Sequence, residues 1–335
     1  MPRPLTGPRV TLDRVQPMAL TEIEPRVQAE PSGRGAGVVA VLCASLFWSF
    51  GGVLGKSTGA TGVVLSFWRL WIALAVLVLL AAATRRWPSP ADLRASFVAG
   101  VLFGLNLCVF FITLQYTSIA VALIIGALSP VLALPVAVMF MGERFTRVKV
   151  VCALVAVSGV VVAVLTAPAA ADGSTTQPVG YVWAVASLLL WVLYLLQTKR
   201  VRATVETVRY LTSVTFVASV TVSVLVAGLV LFGEASGNLG QIDGVGWVWV
   251  VVLAVGPGIA GHGLVAWAQP RVDASVTSVL IQLEPVGASI AAWVFLDERV
   301  SMPQAVAMAV VVSALSVLAY RESRERLVVF DEAVG

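Results

Sequence analysis

A chain of 335 residues would make two ordinary soluble domains, but here 59% of residues are hydrophobic, only 12% are charged and the mean hydropathy is +0.95. Soluble domains carry about 25% charged residues, so this chain has too few charges to clothe a water-facing surface and a cytosolic enzyme is excluded. The net charge of +4 and pI near 9.2 do not point to nucleic acid, because the basic residues sit in short clusters between apolar runs, where membrane topology accounts for them.

In chain order, residues 1–35 are polar, contain proline and carry both charge signs, which reads as a flexible cytoplasmic tail rather than a cleavable signal. Ten apolar runs follow, at 36–55, 62–83, 95–114, 118–141, 147–166, 180–198, 208–232, 246–267, 273–296 and 303–320. Each approaches the roughly 20 residues that a helix needs to cross about 30 Å of hydrocarbon. Stretches such as Ile72 to Ala83 are apolar almost throughout, without the strict alternation of a membrane barrel, so the expected fold is all-α and integral to the membrane. Residues 321–335 read as a second cytoplasmic tail.

If the N-terminus is inside, nineteen of the 22 Lys and Arg residues fall on the cytoplasmic side, against Lys56 and Arg299 outside and Arg69 within a span. This bias predicts cytoplasmic termini and an even number of spans. The connections 167–179 and 233–245 carry acids but no Lys or Arg, as outer loops should. Trp87, Trp183, Trp247, Trp249 and Trp293 fall near span ends, where indole rings favour the headgroup level. Cys43, Cys108 and Cys152 all lie in apolar runs without Cys-x-x-Cys spacing, and there is one histidine; neither a disulfide framework nor a metal site is expected.

At an offset of 155 residues the chain aligns with itself. Ser118 to Leu165 matches Asp273 to Tyr320 without a gap, pairing Pro130-Val131 with Pro285-Val286, Phe140 with Phe295, Glu143-Arg144 with Glu298-Arg299 and Ser158 with Ser313. Trp48 and Trp191 correspond at a different offset. Two halves of five spans, 36–166 and 180–320 about an outer linker at 167–179, have opposite orientations because an odd number of crossings separates equivalent points. Inverted repeats are how many carriers build two conformations around a site near mid-membrane.

The ten spans, the pattern Leu128-Ser129-Pro130-Val131 with Gly142-Glu143-Arg144, and its partner Leu283-Glu284-Pro285-Val286 with Asp297-Glu298-Arg299 resemble the two EamA domains of the drug/metabolite transporter superfamily. Arg69 and Trp48 fit the same pattern. Asp297 stands where the family usually has glycine, and the seventh span has no arginine equivalent to Arg69. The resemblance implies an inner-membrane carrier without a cofactor, often an exporter of amino acids or other small metabolites, and leaves the substrate unnamed.

Polar residues in apolar spans mark the expected site. They concentrate in spans 3, 4, 8 and 9, which should wall a cavity with spans 1 and 6 adjoining, leaving 5 and 10 as scaffold or a homodimer surface. Glu284 comes first: an ionised carboxylate at mid-membrane costs at least about 2.5–3.5 kcal/mol, which suits it to proton exchange or to pairing with a substrate ammonium. Pro285 beside it cannot donate to the Ile281 carbonyl, leaving an expected free acceptor. Thr277, seven residues earlier, shares the Glu284 face, whereas Gln282 lies on a different stripe. The two stripes cannot both face one narrow cavity; the Glu284 face is preferred, while Gln282 stays a candidate for the site or for an interhelical hydrogen bond.

Gly256-Pro257-Gly258 and Gly261-His262-Gly263 predict a kinked or partly unwound eighth span, with freed carbonyls near a titratable His262. Asn106 and Thr113 share a face of span 3. Pro130 and Pro135 weaken span 4 and are hinge candidates together with Pro257 and Pro285. Arg69, with Trp68 and Trp71 beside it, reads as snorkelling to the outer interface; the rival is a substrate carboxylate or Glu284 as its partner. Glu143-Arg144 and Glu298-Arg299 lie at span ends on opposite membrane faces, where ion pairs could latch one conformation, but they read mainly as turn and topology signals.

Transport therefore has a membrane and a small solute as partners, with proton antiport, uniport and import left open beside export. An intramembrane enzyme would need an activated nucleophile, yet there is no Gly-x-Ser-x-Gly or His-Glu-x-x-His motif; nor is there a phosphate-binding loop for direct ATP drive.

Overall fold

The computed structural model describes residues 33–117, 119–144, 146–166, 177–234, 237–296 and 300–324. Most of both expected tails, most of the 167–179 linker, Asp297-Glu298-Arg299 and the side chain of Trp293 lie outside them. The described residues contain no strand and ten helices long and apolar enough to cross a membrane. These are Gly33–Ser57, Gly62–Thr84, Pro90–Tyr116, Val121–Met141, Arg147–Leu165, Pro178–Val201, Thr207–Leu231, Gly246–Ala268, Ala274–Ala291 and Met302–Arg321, here spans 1 to 10.

Span 3 starts earlier than its hydropathy suggested. Ser89 accepts from the Asp92 N–H, the Asp92 carboxylate accepts from the Ser89 N–H, and Pro90 occupies the first turn. This reciprocal cap satisfies orphan donors and starts the helix before the apolar run begins.

The repeat is visible in how spans 4 and 9 break. Span 4 divides into Ile119–Gly126 and Ser129–Met141, and span 9 into Ala274–Leu280 and Leu283–Leu296. At the 155-residue offset the gap at 127–128 maps to 282–283 and overlaps the gap at 281–282. Pro130 and Pro285 sit in the first turn of each second half-helix, where a missing N–H costs least, but neither can continue the helix that precedes it. Pro135 lies inside the second half of span 4.

Two pairs of repeat-equivalent residues touch. Gln282 Nε2 donates to the carbonyl of Ala127, its own counterpart, at 2.8 Å. Trp48 meets Trp191 edge to face, with ring centroids 5.4 Å apart. A residue can contact its symmetry mate only near the axis that relates them, so the pseudo-twofold axis of the inverted repeats passes between these pairs.

Spans 5 and 10 pack against each other at one side of the bundle; a Cβ on Gly159 would lie 2.5 Å from Val311 Cγ2. Spans 3, 6 and 7 form the other main body of packing, around Phe103, Tyr194 and Tyr210.

Candidate functional site

A cavity of about 150 Å³ lies on the pseudo-twofold axis. A single water needs roughly 10–15 Å³ on this measure, so the space takes a solute of several heavy atoms. Spans 3, 4, 8 and 9 line it as expected, but spans 1 and 6 contribute wall residues rather than merely adjoining, and span 2 contributes Arg69. No residue of span 5 or 10 reaches it. The end of the bundle that carries Arg34, Lys149 and Lys199 is its basic end; Leu188 of the cavity wall packs in a buried cluster with Ala133, Ala137, Val192, Leu196 and Ala274.

Glu284 faces this cavity, and so does Gln282. Thr277 does not: it is fully buried and donates to the Asp273 carbonyl. The expectation that the two stripes could not share one cavity is thus corrected, Gln282 joining Glu284 in the wall and Thr277 turning away. It assumed a continuous helix, whereas the break at 281–282 resets the rotation and brings Gln282 and Glu284 to the same side. The Ile281 carbonyl is not free either, since the Glu284 N–H donates to it at 2.9 Å. The Glu284 carbonyl in turn accepts from Ser49 Oγ at 3.1 Å, where span 1 is interrupted between Trp48 and Gly51.

Arg69 does not snorkel. It is 5% exposed, and its guanidinium carbon lies 5.7 Å from the Phe111 ring centroid. Pairing with Glu284 is also absent: among the described residues neither side chain forms a hydrogen bond or salt bridge. Trp68 and Trp71 have their own partners, the Leu239 carbonyl and Ser223 Oγ. Arg69 instead lies beside span 8, where a Cβ on Gly258 would stand at an ordinary contact distance of 3.6 Å from Arg69 Nε.

Span 8 is wound differently from its neighbours rather than unwound. Residues Ala254–Gly261 form a π-helical segment between Gly246–Leu253 and His262–Ala268. Pro257 cannot join the regular i to i−4 ladder, and a wider turn absorbs the irregularity. The Pro257 carbonyl faces span 1 and accepts from Trp48 Nε1 at 2.9 Å, so it is not an open cation ligand. Only glycine fits at 261, where a Cβ would stand 2.4 Å from Trp48 Nε1. His262 lines the cavity inside an aromatic enclosure, 4.6 Å from Phe103 and 4.9 Å from Trp48 between ring centroids.

Asn106 and Thr113 also line the cavity, with partners of their own. Asn106 Nδ2 donates to the Ser187 carbonyl at 2.9 Å, tying span 3 to span 6, and Thr113 Oγ1 donates to Val109. Trp48, Trp191, Pro257 and Pro285 line the same space, as does Ser129, the repeat counterpart of Glu284.

A model of the EamA-like transporter family matches residues 35–165 and 178–320, one match on each repeat. The chain belongs to the EamA-like transporter family. Among solved structures 29 chains match. One, described as "Crystal structure of protein", has a TM-score of 0.70 over 87% of this chain and 100% of its own, at 24% identity, a likeness of fold. No curated protein matches.

In this EamA-like transporter, sequence reasoning missed one assembly, at the basic end. Glu143 is more than a turn signal. Its Oε1 accepts from the Ala274 N–H at 2.6 Å, and its Oε2 accepts from the Ser275 N–H at 3.1 Å and from Ser275 Oγ at 2.5 Å. Lys149 Nζ contacts Asp273 Oδ2 at 2.6 Å, with Arg34 at 3.7 Å from the same oxygen. Lys199 Nζ donates to the carbonyls of Gln269 and Val272. Burial alone would raise the Asp273 pKa, but Lys149, Lys199 and Arg34 outweigh it and hold the carboxyl below its usual range. Gly142, at φ +66°, turns the chain so that Glu143 reaches the start of span 9. The signal was present in Glu143 and Asp273, but their meeting depends on how two distant spans dock.

Proposed function

We propose that this chain is a secondary carrier that moves a small amphipathic metabolite, such as an amino acid, out of the cell by alternating access around the axial cavity. One observation supports this reading above the others: Glu284 and Arg69, of opposite charge and from opposite repeats, line one cavity without a side-chain hydrogen bond or salt bridge to each other or to other described groups. Buried charges are costly unless they find partners, and a solute carrying an ammonium and a carboxylate supplies both. Trp48, Trp191, Phe110 and Phe111 offer apolar walls for the rest of such a solute.

The basic end is the cytoplasmic one in this reading, by the positive-inside rule, and both termini lie there, in the inner membrane. Glu284 also carries the proton in exchange for solute. Moving one charge through 100 mV supplies about 2.3 kcal/mol, enough to drive export.

The test is counterflow in proteoliposomes under an imposed pH gradient, with a zwitterionic amino acid, its amide and its deaminated acid as separate solutes. The parent should favour the zwitterion. Glu284→Gln should remove the pH dependence and cut flux at least about tenfold, in line with about 1.5–3 kcal/mol for a hydrogen bond to a charged group. Equal flux and equal pH dependence in parent and variant would exclude the role given to Glu284. Flux of a neutral solute at the zwitterion's rate would exclude the charge-pair reading.

A further inference from the structure

Resting on the carrier reading above, we propose that Glu143 is the latch that holds the basic end closed, and that the Lys149–Asp273 ion pair makes this closed form the resting state. Glu143 comes from the end of span 4 in the first repeat and grips the start of span 9 in the second, using two backbone N–H groups and one hydroxyl. Charge-assisted bonds of this kind are short and about twice as strong as neutral ones. They are also interrupted the moment span 9 separates from span 4, the movement that must precede any opening of the cavity at this end. Lys149, in the first repeat, adds an ion pair to Asp273 in the second, and is itself 2% exposed. Lys199 binds the loop between spans 8 and 9 to span 6, so the second repeat moves as one piece against the latch.

The inverted repeat supplies the comparison that turns a contact into a device. At the 155-residue offset Glu143 corresponds to Glu298, but Asp273 corresponds to Ser118, Lys149 to Gln304 and Ser275 to Ala120. Lys199 has a counterpart in Lys56 at the offset that pairs Trp48 with Trp191. An equivalent latch at the opposite end would therefore keep its glutamate but lack the ion pair and the hydroxyl. The basic end thus has more holding groups than the equivalent positions of the other repeat, and the population follows the better-held end. A resting carrier closed to the basic end and open to the other needs no solute to set that preference.

Electron–electron distance measurement between spin labels on Arg144→Cys and Arg200→Cys, both exposed at the basic end, tests this in lipid nanodiscs after Cys43, Cys108 and Cys152 are replaced by serine. Arg144 follows span 4, and Arg200 rides with the second repeat. Without solute, the parent should show one dominant short distance. Glu143→Gln should raise the population at longer distance about tenfold, the ratio that loss of a charged acceptor predicts for a two-state equilibrium. The combined Lys149→Gln and Asp273→Ser variant, which installs the residues of the opposite end, should raise it by a smaller factor. Parent-like distances in both variants would overturn the latch. Should Glu143→Gln fail to fold, the combined variant decides, because its residues are already present at the equivalent positions of the other repeat. Counterflow by the parent is scored separately, so failure of the latch and failure of the carrier reading are distinguishable.

Discussion

The cavity and the basic end use the same residue types to opposite ends. At the basic end Glu143, Lys149, Lys199 and Asp273 each have protein partners within hydrogen-bond reach. In the cavity, Glu284 and Arg69 have no side-chain hydrogen bond or salt bridge among the described residues, although Arg69 is nearly as buried as Lys149. Satisfied charges fix one arrangement of helices, whereas unsatisfied ones retain their binding capacity for something that arrives. The contrast separates residues that set the conformation from residues that meet the solute, and each can be perturbed without the other.

The largest expected effect comes from crowding the cavity wall. Gly261→Ala puts a methyl 2.4 Å from Trp48 Nε1, so the indole must move and its bond to Pro257 must break. Overpacking of this kind costs about 1–3 kcal/mol. Thermal unfolding in detergent should show the lower midpoint, and solute flux should fall with it, whereas Gly263→Ala, whose nearest neighbour is the tip of Leu211 at 3.4 Å, should change both far less.

Arg69→Gln keeps length and polarity while removing charge. It should weaken carboxylate-bearing solutes about tenfold, by the 1.5–3 kcal/mol of a charged hydrogen bond, and leave their amides unchanged in the same flux assay. Loss of both equally would move Arg69 from the site to the scaffold.

At the basic end the expected signature is in stability rather than selectivity. The folded-state pKa of Asp273 lies below its ordinary value of 3.8, so its stabilisation is complete above that value and is lost as pH falls through the folded-state value. Unfolding midpoints should therefore fall on acidification below about pH 4, and Asp273→Asn should flatten that part of the profile while lowering the midpoint at neutral pH. The smallest effect is expected from Arg86→Ala. Its 2.8 Å pair with Glu206 is exposed on both sides, and such pairs contribute at most about 1 kcal/mol. A midpoint shift as large as that of Asp273→Asn would erase the distinction between the buried cluster at the basic end and an exposed ion pair.

The Gln282–Ala127 bond shows where sequence reasoning stopped. The repeat offset pairs these two positions from the letters alone, and the glycines and prolines near them announce irregular helices. Nothing local states that the break would rotate Gln282 to the side of Glu284 and turn Thr277 away. Arg69 failed for a related reason: near a span end, snorkelling is the local optimum, whereas its inward position over the Phe111 ring of span 3 depends on how separate spans pack.

The sequence by itself determined ten membrane-spanning helices and their division into two opposed sets of five. Transfer of an apolar segment into hydrocarbon is a sum over neighbouring residues, and a duplicated pattern is read by aligning the chain with itself. Only the tertiary structure decided which polar groups come together: Glu284 and Arg69 in the wall of one cavity, and Glu143 at the start of span 9. Those meetings depend on helix rotation, on where a proline interrupts the backbone ladder and on how distant spans pack, none of which is a property of any local stretch of residues.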